Sequence, residues 1–429
     1  MRTLDFVGIG LGPFNLGLAA LADPVADLDG VVLEAADDFR WHGGMMLPRA
    51  TLQVPFLADL VTMADPTSRW SFLAHLKDVG RLYPFYIRED FKPLRSEYDA
   101  YCRWVAQRLD SVRFGRRVTS VERVSDSDGT AYVVTAATGE TWRTRRVVLG
   151  VGTSPQLPAA VRHLDGPVTH TAGYLHRKGE LQAAGSVTVV GSGQSSAEVF
   201  ADLLAERPRH GYELTWVTRS PRFFPMEYTK LTLEMTSPEY TAYFQSLPAD
   251  ERARLLGTHA PLHKGISGEL VDAIFDELYA QRVDGLPDPT LLTATELTAA
   301  TWDGSSYTLD LHHREQDRAG RLTTGALVVG TGYAPTVPDF LAPVRDRLRL
   351  DDRGRMLASG RYTVDHDDRE VFVQNAEEHT HGFVAPDLGM GAFRNSVIIN
   401  EIAGREVYPV EKRIAVQEFG VPDRLRVAR

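Results

Sequence analysis

The stretch "DFVGIGLGPFNLGLA" (residues 5–19) decides the fold. An apolar run from Leu4 to Ile9 leads into Gly8, Gly10 and Gly12, and Asn15 to Leu21 then carries helix-compatible residues. The pattern is strand, glycine-rich turn, helix. A pyrophosphate reaches the backbone only where side chains are absent, and the following helix offers it free N–H groups and a favourable dipole. Downstream, "GVVLEA" (Gly30 to Ala35) reads as a buried strand ending in Glu34. This acid stands about 20 residues beyond the turn, the separation at which a carboxylate accepts hydrogen bonds from a ribose.

A second copy of the pattern lies mid-chain. "SVTVVGSGQSSAEVFADLLAE" (Ser186 to Glu206) is again strand, turn and helix, with Ser196 where a third glycine or alanine is usual. The next strand, "YELTWVTRS" (Tyr212 to Ser220), ends in Arg219 and carries no acid. A guanidinium grips a 2′-phosphate in a fork where an acid would repel it, so NADPH is expected over NADH. The alternative is a solvated strand-end charge.

The rest of the chain bounds the reading. With 429 residues, 43% of them hydrophobic, it can bury the cores of two or three domains. A net charge of -10 argues against a nucleic-acid or anionic-membrane partner. Cys102 is the single cysteine, which excludes an intrachain disulfide and a CxxC redox pair and fits a reducing, cytoplasmic setting. The apolar opening from Leu4 to Ala22 holds glycines, a proline and an asparagine, which argues against a membrane span.

"RRVVLGVGTSPQLP" (Arg145 to Pro158) and "GALVVGTGYAPTVPDF" (Gly325 to Phe340) are matched apolar strands running into glycine turns and prolines. They read as the points where the chain leaves and re-enters a first, interrupted domain. The expected class is α/β with two Rossmann-like dinucleotide-binding domains, one for FAD and one for NADPH. The first occupies residues 1–158 and 325–429. The second occupies 159–324 and includes substrate-region helices over about 223–283. "HTHGFVAPDLGMGAFRNSVIINEIAG" (His379 to Gly404) reads as a loop entering a helix whose N-terminus faces the flavin.

Three chemistries fit two such folds: a disulfide reductase, a flavin monooxygenase, and a non-catalytic nucleotide-binding module. The first needs a cysteine pair, and Cys102 is alone. Two complete turns with their crossing strands weigh against the third. "HLDGPVTHTAGY" (His163 to Tyr174) matches, at Gly166, His170 and Tyr174, the FxGxxxHxxxY/W fingerprint of class B flavin monooxygenases, with Leu164 in place of Phe.

More specific stretches complete the picture. GxGxxPxN (Gly8, Gly10, Pro13, Asn15), "FRWHGGMMLPRATLQVPFLADLVTMADPTSRWSFLAHL" (Phe39 to Leu76) and "YDAYCRWVAQRL" (Tyr98 to Leu109) resemble the N-hydroxylating flavin monooxygenases of siderophore biosynthesis. These are the lysine, ornithine and diamine N-hydroxylases, and the likeness runs almost end to end. It implies FAD and NADPH as cofactors and O2 and a primary amine as substrates. A C4a-hydroperoxide on the flavin would be attacked by the neutral amine, with NADP+ staying to shield it from water. It also implies a homo-oligomer, a dimer or a tetramer, and no metal.

Residue roles follow from the same resemblance. Gly8, Gly10, Gly12, Pro13, Asn15 and Glu34 hold FAD, and Trp41, His42 and Gln53 lie along the flavin, Gln53 close enough to C4a to serve catalysis. Ser192, Gly193, Gln194 and Ser195 line the NADPH pyrophosphate, and His263 and Lys264 reach the same cofactor, whose 2′-phosphate the strand end assigns to Arg219. Pro386, Asp387 and Leu388 are assigned to the cofactor and Gly389 to the substrate. Met45, Met46 and Met63 are expected in the core.

The substrate is read from an absence. Amino-acid hydroxylases of this family carry a lysine where this chain has Ala58, and an assisting asparagine corresponds to Leu233. A buried substrate carboxylate would lack its partner there, at a cost of several kcal/mol. A diamine avoids that cost: cadaverine first, putrescine second, with L-lysine N6- or L-ornithine N5-hydroxylation the alternative should Lys230 or Lys264 supply the charge. A non-hydroxylating NADPH oxidase ranks below these. Asp59, Glu227 and Glu234 are the candidates for holding the second ammonium.

Overall fold

Two five-stranded parallel sheets organise the computed structural model, which describes residues 2–127 and 129–426. In the first sheet the order is Val371–Val373, Val147–Leu149, Phe6–Ile9, Gly30–Leu33, Val112–Arg113. In the second it is Val168–His170, Ala326–Val329, Ser186–Val190, Glu213–Val217, Thr290–Leu292. Both central strands are almost wholly apolar, as strands covered on both faces must be. Each feeds a glycine turn and then a helix, Pro13–Ala22 in the first unit and Gln194–His210 in the second.

The two units repeat one plan. Val147–Leu149 lies beside the first turn strand and Ala326–Val329 beside the second. The segment Ala326–Val329 was expected to re-enter the first domain. It instead completes the second sheet, pairing with both Val168–His170 and Ser186–Val190. The boundary expected at 324/325 therefore falls after Val329, because strand pairing, not local pattern, decides which sheet a buried strand joins. The true crossing is a short antiparallel ribbon, Ser154–Pro155 with Tyr333–Ala334, through which the chain leaves and returns.

Smaller antiparallel sheets flank each unit, one of Thr3–Leu4, Thr141–Thr144, Gly129–Ala136 and Val118–Asp126, the other of Thr295–Trp302, Tyr307–His313 and Arg318–Thr324. A helical region, from Lys230–Leu233 through Gly268–Val283, extends from the second unit. The first turn helix is buried over nearly its whole surface, between the C-terminal helix Gly391–Ala403 and an aromatic cluster of Phe72, Tyr98 and Tyr101. Leu16, Leu18 and Leu21 each stabilise that packing by about 1.5–3 kcal/mol. Met45 is in the core as expected, whereas Met63 is 56% exposed, because its apolar-looking run forms a turn and not a buried element. No helix among the described residues is long and apolar enough to cross a membrane.

Candidate active site

The first turn is built to bring backbone, and nothing else, to its crevice. Gly10 sits at φ 87°, and a Cβ there would lie 2.6 Å from the carbonyl oxygen of Gly150. A Cβ at Gly12 would meet nothing within 4 Å, so this glycine faces open space. Pro13 opens the helix, where its missing N–H costs nothing. The helix has no capping side chain and no acid in its first turn, leaving its N–H groups for an anion. Glu34 grips the same turn: its carboxylate accepts the N–H of Leu11 at 2.7 Å and of Ala36 at 2.8 Å.

Asn15 plays a different part from the one expected. It is fully buried beneath the turn, donating to the carbonyl of Gly10 at 2.8 Å and accepting from Gln374 Nε2 at 2.7 Å. Its amide holds the turn's shape from below. Gly150 lies so close that any side chain there would strike Asn15.

The second turn repeats these features. Gly191 sits at φ 141°, with Gly330 backing it as Gly150 backs Gly10. The helix again starts uncapped at Gly193, without a first-turn acid. Ser196 turns its hydroxyl inward to the Gly330 carbonyl, which is why a residue larger than glycine fits. Ser192 meets Ser220 at 3.0 Å, and Arg219 is exposed just past the strand end. Gln194 is committed internally, accepting from the Ser267 N–H and donating to Glu198, so it orients the turn and does not face an open crevice.

Between the turns lie the groups expected beside a flavin. The ring of Trp41 packs on Tyr98 and His42. His42 is exposed as a residue, yet desolvation around its ring and the charge of Arg95 push the imidazole down to about 4, neutral at physiological pH. Gln53 Nε2 is buried without a hydrogen-bond partner, a donor aimed at something the protein alone does not provide. Leu388 and Gly391, at the start of the C-terminal helix, line one crevice with Pro13, Phe14 and Leu60. Two helix N-termini thus converge there. An orphaned amide donor, glycine cradles and uncapped helix starts form a donor set that fits a flavin dinucleotide on the first unit, and the second turn fits a nicotinamide one.

His263 and Lys264 are not free for a cofactor phosphate: both bind Glu378, at 3.2 and 2.8 Å. The backbone of Lys264 nonetheless passes close to Gly193. Ala58 is 7% exposed, and Gly389 faces it, a Cβ on Gly389 lying 3.9 Å from that of Ala58. Leu233 is 38% exposed on its short helix. Asp59 is consumed by its own loop, accepting from the backbone of Val61, Thr62 and Phe72. Glu234 is consumed by the C-terminal segment, at the N–H groups of Val416 and Gln417.

Two elements carried no local signal. Arg95 forms a two-pronged ion pair with Glu198, largely buried, tying the first unit to the second turn helix. Arg394 pairs with Glu377 in the interior and donates to the Ala385 carbonyl, fixing the loop that precedes Leu388. His170 of the fingerprint donates through Nε2 to Gly332 O at the crossing and accepts from Ala172, a hinge contact between segments.

Paired dinucleotide folds, the second inserted in the first and with no redox cysteine, define a class B flavin monooxygenase. The model of the L-lysine 6-monooxygenase/L-ornithine 5-monooxygenase family matches residues 2–335, and the chain belongs to that family of flavin-dependent N-monooxygenases. It is 47% identical to putrescine N-hydroxylase of Shewanella oneidensis, over 97% of this chain and 84% of that one. The FAD-bound crystal structure of the cadaverine monooxygenase of desferrioxamine biosynthesis from Erwinia amylovora superposes with a TM-score of 0.95. The two are 49% identical, covering 99% of this chain and 100% of that one. Ornithine N-hydroxylase from Kutzneria sp. 744, solved with reduced FAD, NADP+ and L-ornithine, is more distant: 26% identical, TM-score 0.86, covering 94% and 99%.

Proposed function

We propose that this protein N-hydroxylates one amine of an aliphatic diamine, cadaverine or putrescine, using FAD, NADPH and O2, in the cytoplasm and for hydroxamate siderophore assembly. The observation that carries the substrate class is the Ala58 side chain lying opposite Gly389, a Cβ added there falling 3.9 Å from it, a wall that offers no cation to a substrate carboxylate. Lys264, one of the two lysines that could supply the charge instead, is held by Glu378. The similarity to putrescine and cadaverine enzymes at 47–49% identity, against 26% to an ornithine enzyme, supports the same reading.

Bound FAD would supply the redox chemistry, accepting two electrons from NADPH so that one oxygen atom of O2 is passed to the amine and the other leaves as water. The chain's part is to hold and orient. Gly10, Gly12 and Glu34 seat the first dinucleotide, Gly191, Gly193 and Ser192 the second, and Arg219 selects the 2′-phosphate. Gln53 donates its free N–H toward the flavin, and the neutral imidazole of His42 adds no charge beside it. An amine attacks only with its lone pair free, and an alkylammonium titrates near 10. Exclusion of water at the reacting end of the site disfavours the ammonium there by desolvation and so releases that proton.

A screen of NADPH oxidation over cadaverine, putrescine, lysine and ornithine, with hydroxylamine product quantified, tests the reading. Cadaverine and putrescine should give the highest specificity constants. Lysine or ornithine hydroxylated as efficiently as cadaverine would end it. Sedimentation velocity reads the expected dimer or tetramer.

A further inference from the structure

We propose that the Asp387 carboxylate binds the second ammonium of the substrate, the one that is not hydroxylated. The inference rests on the diamine reading and supplies its recognition element. Asp387 stands one residue before Leu388, which lines the crevice at the first turn, and two before Gly389, which faces Ala58. The phenol of Tyr228 lies near enough to feel its charge. The carboxylate thus lies beside Gly389, 2.9 Å from where a Cβ there would stand, and next to the residue that lines the crevice at the first turn.

The neighbouring acids are each spoken for. Asp59 caps its own loop, Glu234 binds the C-terminal backbone, Glu378 holds His263 and Lys264, and Glu377 pairs with Arg394. Glu227 is exposed, where water screens any pair it makes. Asp387 also accepts backbone N–H groups, from Gly389 at 2.6 Å and from Met390, but it stands beside Gly389 at the Ala58 wall, and no lysine or arginine among the described residues forms an ion pair with it. The nearest cations are already engaged elsewhere, Arg394 by Glu377 and His263 by Glu378.

Desolvation raises the half-buried Asp387 carboxyl above its ordinary range, so the carboxylate is held at a cost that an arriving cation would remove. The same group repels an amino-acid carboxylate. One residue thus favours the diamine and disfavours the amino acid, attraction and exclusion together.

The test compares the wild-type holoenzyme with Asp387→Asn and Asp387→Glu, using cadaverine, putrescine and 1-pentylamine, which lacks the second ammonium. Specificity constants are measured, and amine binding to the FAD-loaded protein is followed by calorimetry. Loss of a charge-assisted hydrogen bond should raise the cadaverine KM and dissociation constant of Asp387→Asn by about 10–100-fold, with little change for 1-pentylamine. Asp387→Glu carries the charge one methylene further and should keep the preference for diamines while moving it from cadaverine toward putrescine. An Asp387→Asn enzyme that keeps the wild-type ratio of cadaverine to 1-pentylamine overturns the assignment, as does an Asp387→Glu enzyme with an unchanged chain-length order. Wild-type enzyme that hydroxylates lysine or ornithine as well as diamines instead defeats the diamine reading itself, and this inference with it.

Discussion

Replacing Ala58 with lysine puts the cation of the amino-acid hydroxylases back into this pocket, and the structure says what it would meet. The side chain starts from a site 7% exposed, opposite Gly389, where a Cβ added to the glycine would lie 3.9 Å from Ala58 and 2.9 Å from Asp387 Oδ1. A flexible four-carbon stem brings the new ammonium to that carboxylate. Two like charges about 4 Å apart repel by about 4 kcal/mol at the effective dielectric of a protein surface. Pairing with Asp387 offsets part of this, and about 1.5–3 kcal/mol, the strength of one charged hydrogen bond, remains against the diamine. The specificity constant for cadaverine should then fall by about 10–150-fold, carried mainly in KM. Lysine should gain relative to cadaverine, since its carboxylate now has a partner. The assay is NADPH oxidation with hydroxylamine detection on enzyme of matched flavin content. An Ala58→Lys enzyme that turns over cadaverine with unchanged KM would refute the placement of Ala58 against the substrate.

Gly10→Ala should yield protein with little bound FAD and a lower melting temperature, because its Cβ would meet the backbone of Gly150 and Val151 at 2.6–3.0 Å with no side chain able to move aside; full flavin occupancy by visible absorbance would count against this. Arg219→Ala should raise the KM for NADPH and leave NADH nearly unchanged, and equal losses for both coenzymes would remove its 2′-phosphate role. Burial raises the Glu378 carboxyl, but hydrogen bonds from His263 and Lys264 outweigh it and leave it at about 2, below its ordinary 4.5. A depressed acid stabilises the fold above its unfolded pKa and loses that contribution as pH falls toward the folded one. Glu378→Gln should therefore flatten the fall in melting temperature between about pH 5 and about pH 3 relative to wild type. Parallel curves would show that the pair does not couple to folding.

What the sequence made legible was local. Each glycine turn, with its strand before and helix after, is written within one short window, and the turn residues Gly8, Gly10, Gly12, Gly191 and Gly193 stand where their spacing places them. What it concealed depends on partners far along the chain. Ala326–Val329 is apolar and ends in a glycine whichever sheet it joins, and only its ladder to Ser186–Val190 settles the matter. Asn15 reads as part of a binding motif until Gln374 is seen to hold it from the other side. Glu234 looks available until the backbone of Val416 and Gln417 arrives. Arg95 and Glu198 are ordinary helix residues on separate units until the two units dock.

The antiparallel ribbon of Ser154–Pro155 with Tyr333–Ala334 has a consequence for how the chain folds. The first sheet must join Val147–Leu149 to Val371–Val373 across everything that lies between them. Closing an unstructured loop costs about 0.6 kcal/mol more for each doubling of its length, and contacts so distant in sequence form slowly. Once the inserted unit has formed, its two ends stand side by side, and the loop the first sheet must close shrinks to residues 150–153 and 335–370. The second unit therefore works as a scaffold for completing the first. Substitutions confined to its core, at Val189 or Val328, would then delay the order of events in a sheet they never touch.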